Sequence, residues 1–261
     1  MTDREKILRF YRSQGDGDLA ARLLDLVEYA IKYRRYKVTD FLDPHGFSIV
    51  DTIGAHYNQI SIVSDGGYQG AERVRAAFVA EDYSGNVNFN IAAILISWDS
   101  LHYHITHRDV LGSLMGLGLK REVLGDIVLR HGACHVIVDD SLIEYLLQNL
   151  VSIGAAPVTA TTADLSAIPP REERVKEIRT TVPSLRLDVI AAAGYGVSRT
   201  RMSDEIAADK IKVNWQNAKN SSQLIKAGDI ISMRGRGRVE VCEIIGQTKK
   251  GRISILLKRF I

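Results

Sequence analysis

Apolar residues recur at helical spacing from the start of the chain. Thr2 can cap a helix over residues 3–11, Gly15-Asp-Gly17 breaks it, and Leu19, Leu23, Leu26, Val27, Ala30 and Ile31 mark a second helix. That helix runs into a basic, aromatic stretch, Lys32-Tyr-Arg-Arg-Tyr-Lys37. Two readings are open there: a solvated helix end, where cations suit the C-terminal dipole, or an RNA contact through stacked tyrosines. Asp43-Pro44 reads as an N-cap followed by proline at the first helical position, with the helix running to about residue 56. The period then shortens to two. Residues 59–64 and Val74–Ala80 predict strands joined through the turn Asp65-Gly-Gly67. Residues 1–84 therefore form a first module, a helical layer ending in a hairpin. Arg73 and Arg75 alternate along the returning strand, and the pattern leaves open whether they face solvent or a phosphate.

A different rhythm fills residues 85–165. Ile91–Trp98 predicts a buried strand. Residues 106–117 predict a helix capped by Thr106 with Asp109 three residues on. Strands at 123–129 and 134–138 flank Arg130-His-Gly132, and a helix over 140–151 precedes a last strand at 157–162. The order βαββαβ is the ferredoxin-like split pattern shared by RRM domains. RRMs stack bases on exposed aromatics of the central strands, but residues 134–138 carry none at the matching positions and offer His135 instead. The better candidate contact is the loop Gly116-Leu-Gly-Leu-Lys-Arg121, where glycines let the backbone approach a phosphate and Lys120 and Arg121 supply charge. Residues 166–182 are charged and contain Pro169-Pro170, so they read as a linker or an exposed connecting helix.

The last module, residues 183–261, opens with a short helix over 186–193 and treats Gly194 and Gly196 as turn residues. Ser198 then caps a second helix that carries Arg199 and Arg201 at its start and turns Met202 and Ile206 inward. Residues 211–214 alternate as a strand, and Gly228-Asp229 turns the chain into Ile230–Met233. The glycine-spaced basic loop Arg234-Gly-Arg-Gly-Arg238 leads into strands at 239–245 and 252–257, joined through a tip that carries Lys249 and Lys250.

Charge sharpens this picture. The net charge of the 261 residues is only +3, yet residues 182–261 hold 15 Lys/Arg against 7 Asp/Glu, and the rest holds 19 against 24. A basic third on an acidic body predicts one face for a polyanion. For Arg199 and Arg201 the helix start favours a phosphate contact, because backbone N–H groups and side chains converge on one anion. RNA contact and pairing with Asp188 are both open to Arg186. Lys210, Lys212 and Asn214 would line the adjoining strand, with Lys219, Arg234 and Arg236 nearby.

Other chemistry finds little support. No apolar run approaches the roughly 20 residues of a membrane span, and Thr-Asp-Arg-Glu-Lys at the start predicts neither a signal peptide nor a transit peptide. Cys134 and Cys242 sit far apart in strand-like runs and predict free thiols in a reducing compartment. His102, His104 and His107 lack a cysteine pair or carboxylate cluster, so no metal site is expected. No nucleophile–base pair or cofactor loop stands out, and neither catalysis nor a cofactor is predicted.

Arg186-Leu-Asp188, Ser198-Arg199, Val213-Asn214 and Gly228-Asp229, in this order and spacing, resemble the S4 RNA-binding domain. Two positions depart from its general pattern: Asp209 stands where many members have glycine, and Trp215 replaces the glycine after Val-Asn. Trp215 instead fits a narrower group, the YlmH-type proteins, as do Arg234-Gly-Arg-Gly-Arg238 and Thr248-Lys-Lys-Gly-Arg252. Phe41-Leu-Asp-Pro44, Gly66-Gly67-Tyr68 with Ala71-Glu72-Arg73, and the stretch from His107 through Gly118 also resemble that group. The resemblance implies an α+β chain: an N-terminal helical and hairpin module, a ferredoxin-like middle domain and a C-terminal S4-like, αL-type RNA-binding domain. It further implies a non-catalytic, cytoplasmic, ribosome-associated protein that binds rRNA and tRNA on the large subunit and acts in rescue or quality control of stalled ribosomes. A monomer is the default expectation. A cyanobacterial and plastid branch, labelled photosystem II S4 domain proteins, is also similar and implies an alternative role in photosystem II assembly.

Overall fold

A computed structural model describes residues 3–170, 175–218, 220–249 and 251–260. Lys219 and Lys250, both expected to touch RNA, lie outside the described residues. The architecture is α+β, and the chain divides into two compact units, Met1–Arg171 and Glu172–Ile261.

The first unit begins with α1 (Asp3–Gln14) and α2 (Gly17–Tyr33), followed by β1 (Tyr36–Leu42), α3 (Pro44–Gly54), β2 (Ile60–Asp65) and β3 (Val74–Ala80). Asp43 caps α3 by accepting from the Gly46 N–H at 2.8 Å, with Pro44 in the first turn. The three strands form an antiparallel sheet in the order β1-β3-β2. Leu23, Leu24, Val27, Ile49, Ile53 and Phe78 close the core between helices and sheet. The expected hairpin thus has a third strand, and the basic, aromatic stretch is not simply a helix end. α2 stops at Tyr33, Arg34 reverses the chain in the left-handed region at φ 52°, and Tyr36 and Lys37 already belong to β1.

The same unit continues with β4 (Ile91–Trp98), α4 (His107–Gly116), β5 (Leu124–Arg130), β6 (Ala133–Asp139), α5 (Ile143–Asn149), β7 (Ser152–Ile153) and β8 (Ala156–Ala163). Thr106 and Asp109 form the expected capping box on α4. The sheet order β5-β6-β4-β8-β7, antiparallel throughout, is the split βαβ arrangement with one added short strand. Ile94, Ile96, Val136 and Val138 face Val110, Leu114 and Leu146 of α4 and α5. On the opposite face, Ala93 and Ile137 are buried against Phe41 and Ile168, with Tyr68 and Leu165 packed around them. Part of the surface on which an RRM stacks bases is therefore filled by this chain's own side chains.

Arg73 and Arg75 explain how that packing is held. Arg75 is 8% exposed; it donates to the carbonyls of Thr39, Phe89 and Asn90 and pairs with Asp139 at 2.9 Å. Arg73 donates to the carbonyls of Leu124, Phe41 and Arg121. Asp126 answers from β5, accepting from the Tyr68 hydroxyl and from the N–H groups of Glu72 and Arg73. Arg75 is buried and Arg73 partly buried, and both staple the three-stranded sheet to the five-stranded one.

The second unit contains β9 (Val175–Val182), α6 (Leu187–Tyr195), α7 (Arg199–Ala207), β10 (Ile211–Val213), β11 (Gln216–Asn217), β12 (Ile230–Met233), β13 (Gly237–Gln247) and β14 (Ile253–Phe260). Its sheet runs β11-β10-β12-β13-β14-β9, and Ile190, Met202, Ile206, Ile211, Val239 and Leu257 are among the residues that bury one face. The linker expected over 166–182 is corrected here, because Val175–Val182 is an edge strand paired along its length with β14. Its outward Lys176, Glu177 and Arg179 hide the strand period in the sequence and suit an edge that must not pair further. Gly194 is also not a turn residue. It lies inside α6, where a Cβ would come within 2.7 Å of Val239. The helix stops two residues later at Gly196, which caps it at φ 64°.

Candidate nucleic-acid interface

The site is built on the turn between α6 and α7. Ser198 caps α7, its hydroxyl accepting from the Arg201 N–H at 3.2 Å. This fixes the helix start and gives Ser198 a positioning role, while its O–H donor stays available for the contact expected of it. Arg186 precedes α6 and Arg199 begins α7. Between them Asp188 is only 2% exposed and accepts from Arg186 Nε and Nη2 at 3.1 and 3.2 Å and from Arg199 Nε at 2.7 Å. The side chains of Arg186 and Arg199 remain 35% and 55% exposed. One buried carboxylate thus holds two guanidinium groups that both stay partly exposed. Burial alone would raise the Asp188 pKa, but the hydrogen bonds from Arg186 and Arg199 outweigh it and leave the group below its ordinary value.

A second carboxylate gathers further cations. Glu205 pairs with Lys210 at 2.8 Å and with Arg201 at 4.0 Å, and it feels the charge of Arg236. The hydrogen bond from Lys210 leads the causes that lower its pKa. Arg234 joins this edge through its N–H, which donates to the Lys210 carbonyl at 3.0 Å. Arg201, Lys210, Arg234 and Arg236, far apart in sequence, therefore converge where α7 meets the β12–β13 turn.

Other expected contacts fall elsewhere. Lys212 sits between core residues Ile211 and Val213, so it projects from the opposite face of the sheet. Asn214 is consumed by the fold: its amide donates to Asp229 Oδ1 at 2.9 Å and its carbonyl accepts from the Ile230 N–H at 2.9 Å. Lys249 is exposed at the tip of the β13–β14 hairpin, beyond the segment of β13 that pairs with β12. In the first unit the pair Lys120–Arg121 is split. Lys120 is exposed, whereas Arg121 turns inward and donates to the Gly125 carbonyl, and burial beside Arg73 lowers its pKa to about 10. The carboxylates Asp188 and Glu205 organise the cations, and only the short Arg-Leu-Asp spacing hinted at one of them.

The non-standard positions of the S4 pattern have a backbone cause. Asn214 and Trp215, at φ 49° and 65°, form the two-residue turn between Val213 and Gln216, and Asp209 ends α7 at φ 53°. Such turns take glycine readily because it lacks the Cβ penalty there. Elsewhere, both cysteines are free; Cys134 is buried and burial pushes its thiol up to about 12, while Cys242 is partly exposed. His102 pairs with Asp99 at 2.6 Å, and no group of three potential metal ligands occurs among the described residues. No helix of the described residues is long and apolar enough to cross a membrane.

Comparison with known proteins agrees with this architecture. Family models match in three consecutive stretches: "YlmH, N-terminal" over residues 16–83, "Putative RNA-binding domain in YlmH" over 85–167 and "S4 domain" over 185–231. Fold and matches together define an S4-domain protein with a predicted RNA-binding domain ahead of it. The chain is 33% identical over 228 residues to the "Ribosome-associated protein quality control protein P2" of Bacillus subtilis (strain 168), which spans 86% of this chain and 88% of that protein. It belongs to the YlmH family. A solved structure titled "Cell division protein ylmH from Streptococcus pneumoniae" shares the fold, with a TM-score of 0.50 and 19% identity over 58% of this chain and 93% of that one.

Proposed function

We propose that this protein is a non-catalytic RNA-binding factor of the cytoplasm that associates with the ribosomal large subunit, through rRNA and tRNA, and acts in quality control of stalled translation. The observation that carries the RNA reading is the buried Asp188 carboxylate holding Arg186 and Arg199 at the start of α7, inside a matched S4 domain. Guanidinium groups tethered along one edge keep their other N–H groups for phosphate oxygens and lose little conformational freedom on binding. The Glu205 group extends the positive surface with Arg201, Lys210 and Arg236. The ribosomal part of the reading is supported by the name of the Bacillus subtilis relative.

Binding in this mode follows shape and phosphate spacing more than base sequence. About six phosphate contacts give a slope of roughly −4 to −5 in log affinity against log salt. The test is sedimentation of the tagged protein from lysate, wild type beside an Arg199→Ala/Arg201→Ala variant, at two salt concentrations. Wild type is expected in the large-subunit and monosome fractions, with the variant released to the top. On purified structured RNA the same variant should reduce the salt slope by about one to two units. Wild type at the top of the gradient under both salts would sink the ribosomal reading, and an unchanged slope in the variant would remove the arginines from the site.

A further inference from the structure

The end of α2 and the start of β1 bring together side chains that the S4 site does not use. Tyr29 and Tyr33 are one helical turn apart, with ring centroids 4.4 Å apart at an interplanar angle of 41°. They are 40% and 50% exposed, unusual for two large rings in contact. Lys37, delivered by β1 after the reversal at Arg34, places Nζ 4.3 Å from the Tyr29 centroid, and Lys32 lies 5.3 Å from that of Tyr33. The acids of the same helix face are already committed, since Arg4 pairs with both Asp25 and Glu28. No ion pair joins Lys32 or Lys37 to a carboxylate among the described residues. The patch therefore combines two partly exposed rings with two ammonium groups that lie against them and make no ion pair among the described residues.

We propose that Tyr29, Tyr33, Lys32 and Lys37 form a second RNA contact, one that takes unpaired nucleotides by stacking and is chemically distinct from the phosphate-gripping arginines of the second unit. The inference rests on the RNA-binding reading above and adds to it the class of nucleotide bound in the first unit. An unpaired base offers a π-face that can extend the Tyr29–Tyr33 pair, and its flanking phosphates suit the two ammonium groups. An acidic peptide would use the lysines and leave both rings idle. A membrane surface would meet the carboxylates of Asp25 and Glu28 along the same helix face. The tertiary fold is what makes the patch: Lys37 reaches Tyr29 only because the helix stops and the chain doubles back.

The experiment uses the full chain and two probes, a uridine oligomer of about eight nucleotides containing 4-thiouridine and a blunt RNA hairpin with a tight loop. On irradiation the oligomer should crosslink within the peptide that carries Tyr29 to Lys37. Tyr29→Ala/Tyr33→Ala should weaken oligomer binding roughly five- to 150-fold, the range expected for loss of one stacked base. Tyr29→Phe/Tyr33→Phe should stay within about twofold, because the π-face and not the hydroxyl is used. Hairpin affinity should be unchanged in both, whereas Arg199→Ala/Arg201→Ala should weaken the hairpin and leave the crosslink in place. Oligomer binding at wild-type strength in the folded alanine variant would overturn the proposal. So would losses confined to Lys32→Ala/Lys37→Ala, which would leave only general charge attraction. Wild type that binds the hairpin but not the oligomer fails this proposal alone; wild type that binds neither fails the RNA reading itself.

Discussion

Asp188 shows how one residue can serve stability and recognition together. Its carboxylate is buried and ionised, with Arg186 and Arg199 as its charge partners. Because its folded pKa lies below the unfolded value of about 3.9, it contributes stability that is fully present above that pH and fades as pH falls through the folded value. In urea titrations the advantage of wild type over Asp188→Asn should therefore be constant from neutral pH down to about 5 and shrink below 4. The cost of Asp188→Asn at neutral pH should be about 2 kcal/mol, below that of a fully buried pair because both arginines are partly in water. Asp209 predicts the opposite sign. It holds φ 53° at the end of α7 and is exposed, so Asp209→Gly relieves backbone strain without losing a packed side chain. A gain of up to about 1 kcal/mol in urea unfolding is expected, the strain relieved being partly offset by the freer unfolded chain. A loss would mean that the Asp209 carboxylate makes a favourable interaction that outweighs its strain.

At the scale of elements, the second unit depends on a cap that also aims its cations. Ser198→Ala removes the acceptor for the Arg201 N–H and should cost about 1 kcal/mol of stability. Because the same cap orients the first turn of α7, RNA affinity should fall as well, while Ser198→Asp, which keeps the acceptor, should recover the stability. A Ser198→Asp variant that stays as unstable as Ser198→Ala would assign the effect to something other than capping. The element boundaries were legible where period and cap agreed. Val74–Ala80, Ile91–Trp98 and Ile230–Met233 are strands as their apolar runs and flanking turns predict, and α4 starts at its capping box. Four strands have no signal in the sequence: β7 and β11 are only two residues long, and the longer β1 and β9 share a different reason. β1 and β9 carry charges among their apolar residues, so neither repeats cleanly, and each is held by partners well away in sequence: β3 for β1 and β14 for β9. Glycine signals a turn locally, whereas at Gly194 the missing side chain makes room for Val239 inside α6.

For the molecule as a whole, charge distribution and fold have to be considered together. Of the arginines and lysines singled out in the sequence, Arg186, Arg199, Arg201, Lys210, Arg234 and Arg236 collect about two acidic centres in the second unit. Arg73, Arg75 and Arg121 are instead drawn into the interior of the first. Arg75→Ala would remove the charge partner of Asp139, which keeps only Ser141 among the described residues, and a donor from the carbonyls of Thr39, Phe89 and Asn90. It should destabilise the first unit by about 3 kcal/mol or more. Affinity for a structured hairpin RNA, measured while the variant is still folded, should stay within about twofold of wild type. A large loss of that affinity at unchanged stability would make Arg75 an RNA contact after all.

The sequence by itself determined the α+β class, most helices and strands, the basic character of the C-terminal third and the spacing that marks an S4 domain. These properties are local: hydrophobic period, caps, turn residues and charge are all written within a few residues of where they act. Only the tertiary structure decided which cations are free. A guanidinium buried against carbonyls, as in Arg75, and one tethered at the surface by a single carboxylate, as in Arg199, carry the same letter in the sequence. Their fates differ because strands distant along the chain bring carbonyls and Asp139 around the first, while the second stands at a helix start with half its surface in water.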